Sequence, residues 1–391
     1  MMRWPSTLSV LLVMALTVGV ALRPDFASDP HNNDFTAYWA AGRLNLQGRD
    51  PYDAPNLLEV ERAIGWQQAS PRMLWNPPWI LGPLMVFGAM DFPTARNLWL
   101  VAQLALTLGS ALALWRYFRG PDRYEGVAVF VALLFAPLIL SMKYGQIGPL
   151  CLAGLTGFLV CERRRWDALA GAMLGLAAMK PHLVYLVWPA VLVWSVSTRR
   201  WKVLLGLAVA GFALAALPLA TNPPVYANYL AMANKPPPPE LAGLFITQQD
   251  SPTFGWQLRK LVHNGPFALQ YVPTALGFLW LAWYGGRHRT TWNWDERMPV
   301  LLLVSLCTAA YGAWPADSLL LLPAVMAAAA TLARTQDRTA IVLDGGAFLA
   351  LTFATFAIER QATTEAYVWV RPLYLLAYLH AISSSSSSPP R

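Results

Sequence analysis

The sequence predicts an all-α polytopic membrane protein, and three observations carry that reading. Hydrophobic residues make up 56% of the 391 positions and charged residues only 13%, about half the charged share of an ordinary soluble domain. The 18 tryptophans suit a chain that meets the membrane–water interface many times. The apolar residues fall in runs near the roughly 20 that one helical crossing needs, at a mean hydropathy of +0.39. This composition excludes a disordered chain and argues against a soluble globule. Cys151, Cys161 and Cys307 show neither metal spacing nor a disulfide framework. The net charge of +8 is spread over loops and does not point to nucleic acid.

Residues 5–22 form the first run, preceded by Arg3 and leaving through Leu22-Arg23-Pro24-Asp25. It has no good small-x-small cleavage site, so an uncleaved signal anchor is expected. A polar stretch follows to about Asn76. Further apolar runs lie near 77–90, 95–115, 126–142, 148–161, 166–180, 182–197, 202–220, 268–285, 298–313, 316–333, 340–358 and 366–383. Arginine-rich loops separate some of them: Arg116/Arg119/Arg123, Arg163/Arg164/Arg165, Arg199/Arg200/Lys202, Arg287/Arg289/Arg297 and Arg334/Arg338. The connections 143–147, 180–181, 313–316 and 359–366 are poor in positive charge. The positive-inside rule puts the first set in the cytoplasm and the second outside.

From 126–142 onward the two kinds of loop alternate. The front alternates only if 77–90 does not span. That run starts at Asn76-Pro77-Pro78 and carries Gly82, Pro83 and Gly88, which suits a helix lying in or dipping into the outer face. About twelve transmembrane helices remain, with both termini cytoplasmic. They form one domain, 1–383, with a first extracytoplasmic loop at 23–94 and a second at 221–267. Lys235-Pro236-Pro237-Pro238-Pro239 is a stiff extended stretch within the second loop. Residues 384–391 form a disordered Ser/Pro tail. Runs 148–161 and 166–180 are short for a crossing; such helices are tolerated where they line a cavity inside the protein. There is no internal repeat.

Five candidate residues, Asp34, Lys143, Lys180, His182 and Asp317, fall on the outer face. Asp34 opens a helical pattern in which Phe35, Tyr38, Trp39 and Gly42 share a face; it is either a helix N-cap or a base, and capping would also fix the carboxylate. Lys180-Pro181-His182 is either a snorkelling lysine with an interfacial filler or a phosphate clamp beside a proline-broken helix. Lys143-Tyr144-Gly145-Gln146 offers a second cation and an amide. Asp317 is a helix cap or a second carboxylate. Asp344, by contrast, lies near the cytoplasmic start of the run 340–358, within reach of Arg338, and reads as structural. One acid among several cations suits a phosphate-bearing lipid and a hydroxyl acceptor.

The chain carries, in order, Asp34-Phe35-x-x-Tyr38 with Ala41-Gly42, Gly48 and Pro51-Tyr52; Asn76-Pro77-Pro78 with Gly82-Pro83-Leu84; Gly145-Gln146-Ile147-Gly148; Gly171, Gly175 and Lys180-Pro181-His182; and Asp317-Ser318-Leu319-Leu320 with Pro323. Together these motifs resemble glycosyltransferase family 87. Asn76 stands where the family usually has an aromatic residue. The resemblance runs from about residue 34 to 323 and implies a GT-C fold with surface helices in its first outer loop. It also implies a bacterial-type plasma-membrane enzyme that moves a sugar, mannose first among the choices, from a polyprenyl-phosphate donor. The acceptor is a glycolipid, a polysaccharide or a protein, and the site is extracytoplasmic. Asp34 is the catalytic residue it carries over. Tyr38, Lys143, Gln146, Lys180, His182 and Asp317 are the candidate substrate-binding residues. No metal and no cofactor is expected, because a monophosphate leaving group is neutralised by lysine. A transporter or lipid flippase, or a non-catalytic scaffold of the same fold, are the alternatives.

Overall fold

The computed structural model describes residues 33–234, 251–263, 265–360 and 364–386. The expected signal anchor at 5–22, the Lys235–Pro239 stretch and residues 387–391 of the tail expected at 384–391 lie outside them, while 384–386 end the last helix. Every regular element among the described residues is a helix.

The front segment folds as α1 (Asp34–Leu46), α2 (Ala54–Arg62) and, after a 3-10 turn at Pro78–Ile80, α3 (Leu81–Gly88). Asn33, not Asp34, caps α1: its side chain accepts the Phe35 N–H at 2.9 Å. Asp34 is therefore the first helical residue, with its carboxylate released for other partners. Asp53 caps α2 by accepting the Asn56 N–H at 3.3 Å. The apolar helix expected at 77–90 is 3 plus 8 residues long, about 16 Å against a hydrocarbon core of about 30 Å. It packs on α1, where Trp39 Nε1 donates to the Met90 carbonyl at 3.1 Å.

Next come α4 (Phe92–Tyr117), α5 (Glu125–Leu134), α6 (Ala136–Lys143), α7 (Gly148–Arg163), α8 (Asp167–Ala177), α9 (Val187–Ser197), α10 (Trp201–Thr221) and α11 (Val225–Asn234). After the second loop follow α12 (Phe254–Leu261), α13 (Val272–His288), α14 (Trp294–Thr308), α15 (Leu322–Thr335), α16 (Arg338–Arg360) and α17 (Val370–Ser386). Among the described residues four segments are long and apolar enough to cross a membrane: α4, α10, α16 and Pro315–Thr335, which is α15 with the 3-10 turn before it. The pair α5 and α6, bent by 51°, makes a fifth. The bend falls where Pro137 removes a helical N–H donor. Several other expected crossings fold as helices of 11 to 17 residues, namely α7, α8, α9, α13, α14 and α17. Pro149 and Pro273 stand in the first turns of α7 and α13, and the 3-10 turn Pro181–Val184 separates α8 from α9.

Contacts sort the connections into two ends. At one end Arg163 reaches the Tyr117 carbonyl and pairs with Asp295 at 2.5 Å. There Arg334 reaches the Phe118 carbonyl, and Arg200 pairs with both Glu162 and Asp167. The arginine-rich loops therefore gather together. The opposite end collects 33–34, 72, 143–146, 180–182, 309–317 and 359. Asp344 pairs with His380 at 2.8 Å rather than with Arg338.

Helices α8 and α10 meet backbone to backbone. A Cβ on Gly171 would strike the Val203 carbonyl, and one on Gly206 the Ala168 carbonyl. On the other side of α8, a Cβ on Gly154 of α7 would lie 2.6 Å from the Met173 oxygen and 2.8 Å from the Ala177 nitrogen.

Candidate active site

The site is built on a turn. Lys143 ends α6, and Gly145 takes a φ of +62°, a left-handed conformation that costs other residues about 1–2 kcal/mol. A Cβ there would also strike the Asn33 side chain and Phe35. This turn fastens the start of α1. Asp34 donates its backbone N–H to the Tyr144 carbonyl at 2.9 Å, and Trp99 Nε1 holds the Gly145 carbonyl at 3.0 Å. Phe35 stacks on Trp99 with centroids 5.6 Å apart, a contact worth about 0.5–1.5 kcal/mol beyond burial. Two positions 112 residues apart, Asp34 and Gln146, thus arrive side by side.

The Asp34 carboxylate divides its oxygens between two partners. Oδ1 accepts from Arg72, through Nε at 2.9 Å and through Nη2. Oδ2 accepts from Gln146 Nε2. The other end of that amide, Oε1, accepts from Lys180 Nζ at 2.6 Å. Lys180 Nζ also donates to Asp317 Oδ1 at 2.6 Å, and Asp317 Oδ2 accepts the Trp314 backbone N–H at 2.9 Å. The result is one hydrogen-bonded line, Arg72–Asp34–Gln146–Lys180–Asp317. Donors and acceptors alternate along it, so each group fixes the orientation of the next.

Exposure separates the two ends of the line. The side chains of Asp34 and Arg72 are 29% and 35% exposed, whereas those of Lys180 and Asp317 are 9% and 2% exposed. Asp34 stands at the mouth, the more exposed end of the line among the described residues. Lys180 and Asp317 form the floor. Tyr38 is buried within electrostatic reach of Asp34 and Asp317; burial first, then the Asp34 charge, raises its pKa and keeps the phenol protonated. It is a candidate donor, not a base.

Lys143 and His182 sit at the same end but outside the line. Lys143 Nζ is held by Glu359 at 3.0 Å and by the Tyr144 hydroxyl at 3.2 Å, and Glu359 also accepts from the Tyr367 hydroxyl at 2.9 Å. Its charge is already answered by a carboxylate. The His182 ring stacks on Tyr311 with centroids 4.6 Å apart. Neither contact with Asp34 nor with Lys180 is made by these two side chains among the hydrogen bonds of the site.

Arg72 escapes a sequence reading because Ser70-Pro71-Arg72-Met73 has no periodicity and no motif. Glu61 escapes it because it looks like an exposed residue at the end of α2. It is buried, and its two oxygens accept the Arg72 backbone N–H at 3.2 and 2.9 Å. Glu61 therefore places the segment that presents Arg72 to Asp34. Burial pushes its carboxyl up to about 7. A folded-state pKa above the ordinary value of 4.5 means that the folded state binds the proton more tightly. The associated stability is then fully present below that ordinary value and lost as pH rises through about 7. The thermal midpoint of the purified protein is expected to fall between pH 6 and 8, and Glu61→Gln is expected to flatten that dependence.

No group of three His, Cys, Asp or Glu side chains able to hold a metal comes together among the described residues. The carboxylate at the mouth is instead answered by a guanidinium and an amide.

A family model, that of glycosyltransferase family 87, matches residues 75–310, more than half of the chain. This chain belongs to glycosyltransferase family 87. The family 87 protein is accordingly an integral membrane glycosyltransferase, with several helices able to span a membrane. No curated protein and no solved structure matches it. The matched region contains Lys143, Gln146, Lys180 and His182, while Asp34, Arg72 and Asp317 lie outside it. Hydrogen bonds join the two sets, so the family region and its flanks complete one another.

Proposed function

We propose that this family 87 protein transfers a sugar, mannose in the first instance, from a polyprenyl-phosphate donor to an acceptor hydroxyl on the extracytoplasmic face, with inversion. The observation that carries the reading is the part-exposed Asp34 carboxylate, held by Arg72 and Gln146 and linked through Gln146 to the buried Lys180. The sorting of arginine-rich loops to the far end supports the orientation, with those loops in the cytoplasm.

The reaction is a single displacement. The acceptor oxygen attacks the anomeric carbon as Asp34 takes its proton. The bond from that carbon to the phosphate oxygen breaks, and its electron pair leaves with the phosphate. The leaving group needs charge stabilisation rather than protonation. No covalent sugar–enzyme intermediate forms, so a β-linked donor gives an α-linked product by the logic of inverting glycoside chemistry. The acceptor is a glycolipid, polysaccharide or protein hydroxyl. Arg72 holds the carboxylate in place through its paired hydrogen bonds to Oδ1.

The test is a transfer assay on membranes that contain the expressed protein. Radiolabel is expected to pass from polyprenyl-phospho-mannose to an endogenous acceptor, and not from a nucleotide-linked mannose supplied with lipid-donor synthesis blocked. Transfer from the nucleotide sugar alone would overturn the donor assignment. Retained anomeric configuration in the product would overturn the single displacement.

A further inference from the structure

Four cationic side chains are buried among the described residues: Lys180, Arg200, Arg259 and Arg371. Three are answered. Lys180 has Asp317 and Gln146. Arg200 has Glu162 and Asp167. Arg259 donates to the Gln270 amide oxygen at 2.9 Å and to the Gly265 carbonyl at 3.3 Å, and lies over the Trp256 and Phe267 rings.

Arg371 is not answered. It is 2% exposed, and its one hydrogen bond runs from Nη1 to the Pro252 carbonyl at 2.7 Å. Its Nε and Nη2 are buried with no partner. Next to Pro252, the buried Ser251 hydroxyl also has none. Arg371 starts α17 at the site end of the protein and lies within electrostatic reach of Asp317. That carboxylate does not serve it, because both Asp317 oxygens are taken by Lys180 and Trp314. The Lys180–Asp317 pair neutralises itself, and the Arg371 charge is left over.

A buried guanidinium with two idle donors is costly unless an anion completes it. Arginine is also the side chain whose donor fork matches a phosphate, two oxygens at a time. We propose that Arg371, assisted by the Ser251 hydroxyl, binds the phosphate of the lipid-linked donor and of the lipid phosphate that transfer leaves behind. The inference rests on the lipid-phosphate donor reading and assigns the leaving-group end of that site. A phosphodiester carries one negative charge, which matches the single unanswered positive charge. Lys180, engaged by two partners, then acts from the floor of the site by keeping Gln146 and Asp34 in register. Arg371 is the group that takes up the developing charge on the phosphate.

The experiment measures equilibrium binding of farnesyl monophosphate to the full-length protein in nanodiscs, with farnesol and inorganic phosphate as separate arms. Wild type is expected to bind farnesyl phosphate, to bind inorganic phosphate far more weakly and to gain nothing specific from farnesol. Arg371→Met is expected to weaken farnesyl phosphate binding on the order of tenfold to a hundredfold. Its thermal midpoint without ligand should be unchanged or raised, because an unpaired buried charge is replaced by an apolar chain of similar length. Arg371→Lys and Ser251→Ala should give intermediate binding, and they serve if the methionine variant does not fold. Equal binding by wild type and Arg371→Met would overturn the inference and leave the donor reading standing. A lowered thermal midpoint with binding intact would assign Arg371 a structural role instead. Failure of wild type to bind farnesyl phosphate at all would overturn the donor reading, and this inference with it.

Discussion

Asp34→Asn is expected to lower turnover by about 10²–10⁴-fold, the range that a positioned general base contributes, while donor binding is retained. The substitution keeps shape and removes the proton acceptor. It also introduces a local conflict that the line of hydrogen bonds makes visible. Oδ1 accepts from Arg72 and Oδ2 from Gln146, so both oxygens of residue 34 face donors. An asparagine amide has one oxygen and must turn its nitrogen toward one of them. Gln146 cannot rotate its amide to relieve this, because its Oε1 already accepts from Lys180. A modest stability loss, about 0.5–1.5 kcal/mol for one lost hydrogen bond at a part-exposed group, should accompany the kinetic effect. The measurement is turnover together with KM for the lipid donor. A fall in kcat at unchanged KM supports the base, and an unchanged kcat would remove Asp34 from that role.

Lys180→Met is expected to be the most destabilising single change in the site. It leaves Asp317, whose side chain is 2% exposed, without its ion-pair partner. Breaking one side of a buried ion pair costs about 3–5 kcal/mol. Gln146 would lose its Oε1 donor in the same step, and Asp34 would lose the anchor of its own partner. The check is a double-mutant cycle on thermal unfolding. Adding Asp317→Asn to Lys180→Met removes the stranded charge yet keeps an oxygen for the Trp314 N–H. The double variant is expected to recover most of the loss. If the two single losses simply add, Lys180 and Asp317 are not coupled and the floor of the site is assigned wrongly.

Much of the fold could be read from the residues because hydrophobic burial is a local property of the chain. The polytopic helical class follows from the apolar runs, and the sorting of arginine-rich loops appears again as one end of the structure. The lengths could not be read in the same way. Hydropathy marks where a helix is apolar, but proline and turn geometry decide where it stops, as at Pro137 and at the 3-10 turn Pro181–Val184. The site was legible where a residue type is unusual for its surroundings. Asp34, Gln146, Lys180 and Asp317 all stand out against apolar neighbours, and the structure joins them. Lys143 and His182 stand out equally, yet each has a partner elsewhere, Glu359 and Tyr311, that only folding brings near. Arg72, Glu61 and Arg371 were hidden for the opposite reason. Charged residues in a polar loop or at a helix start look ordinary until their burial is known.

The glycine contacts between α8 and α10 have a consequence for traffic. Where two backbones touch, there are no side chains to swing aside, and α7 closes on α8 in the same way at Gly154. These three helices are therefore locked together at those points. If the donor is the lipid phosphate proposed above, its isoprenoid chain is expected to approach Asp34 from a flank other than this one. The smallest residues in the chain would then bear on the direction of entry, far from the groups that do the chemistry.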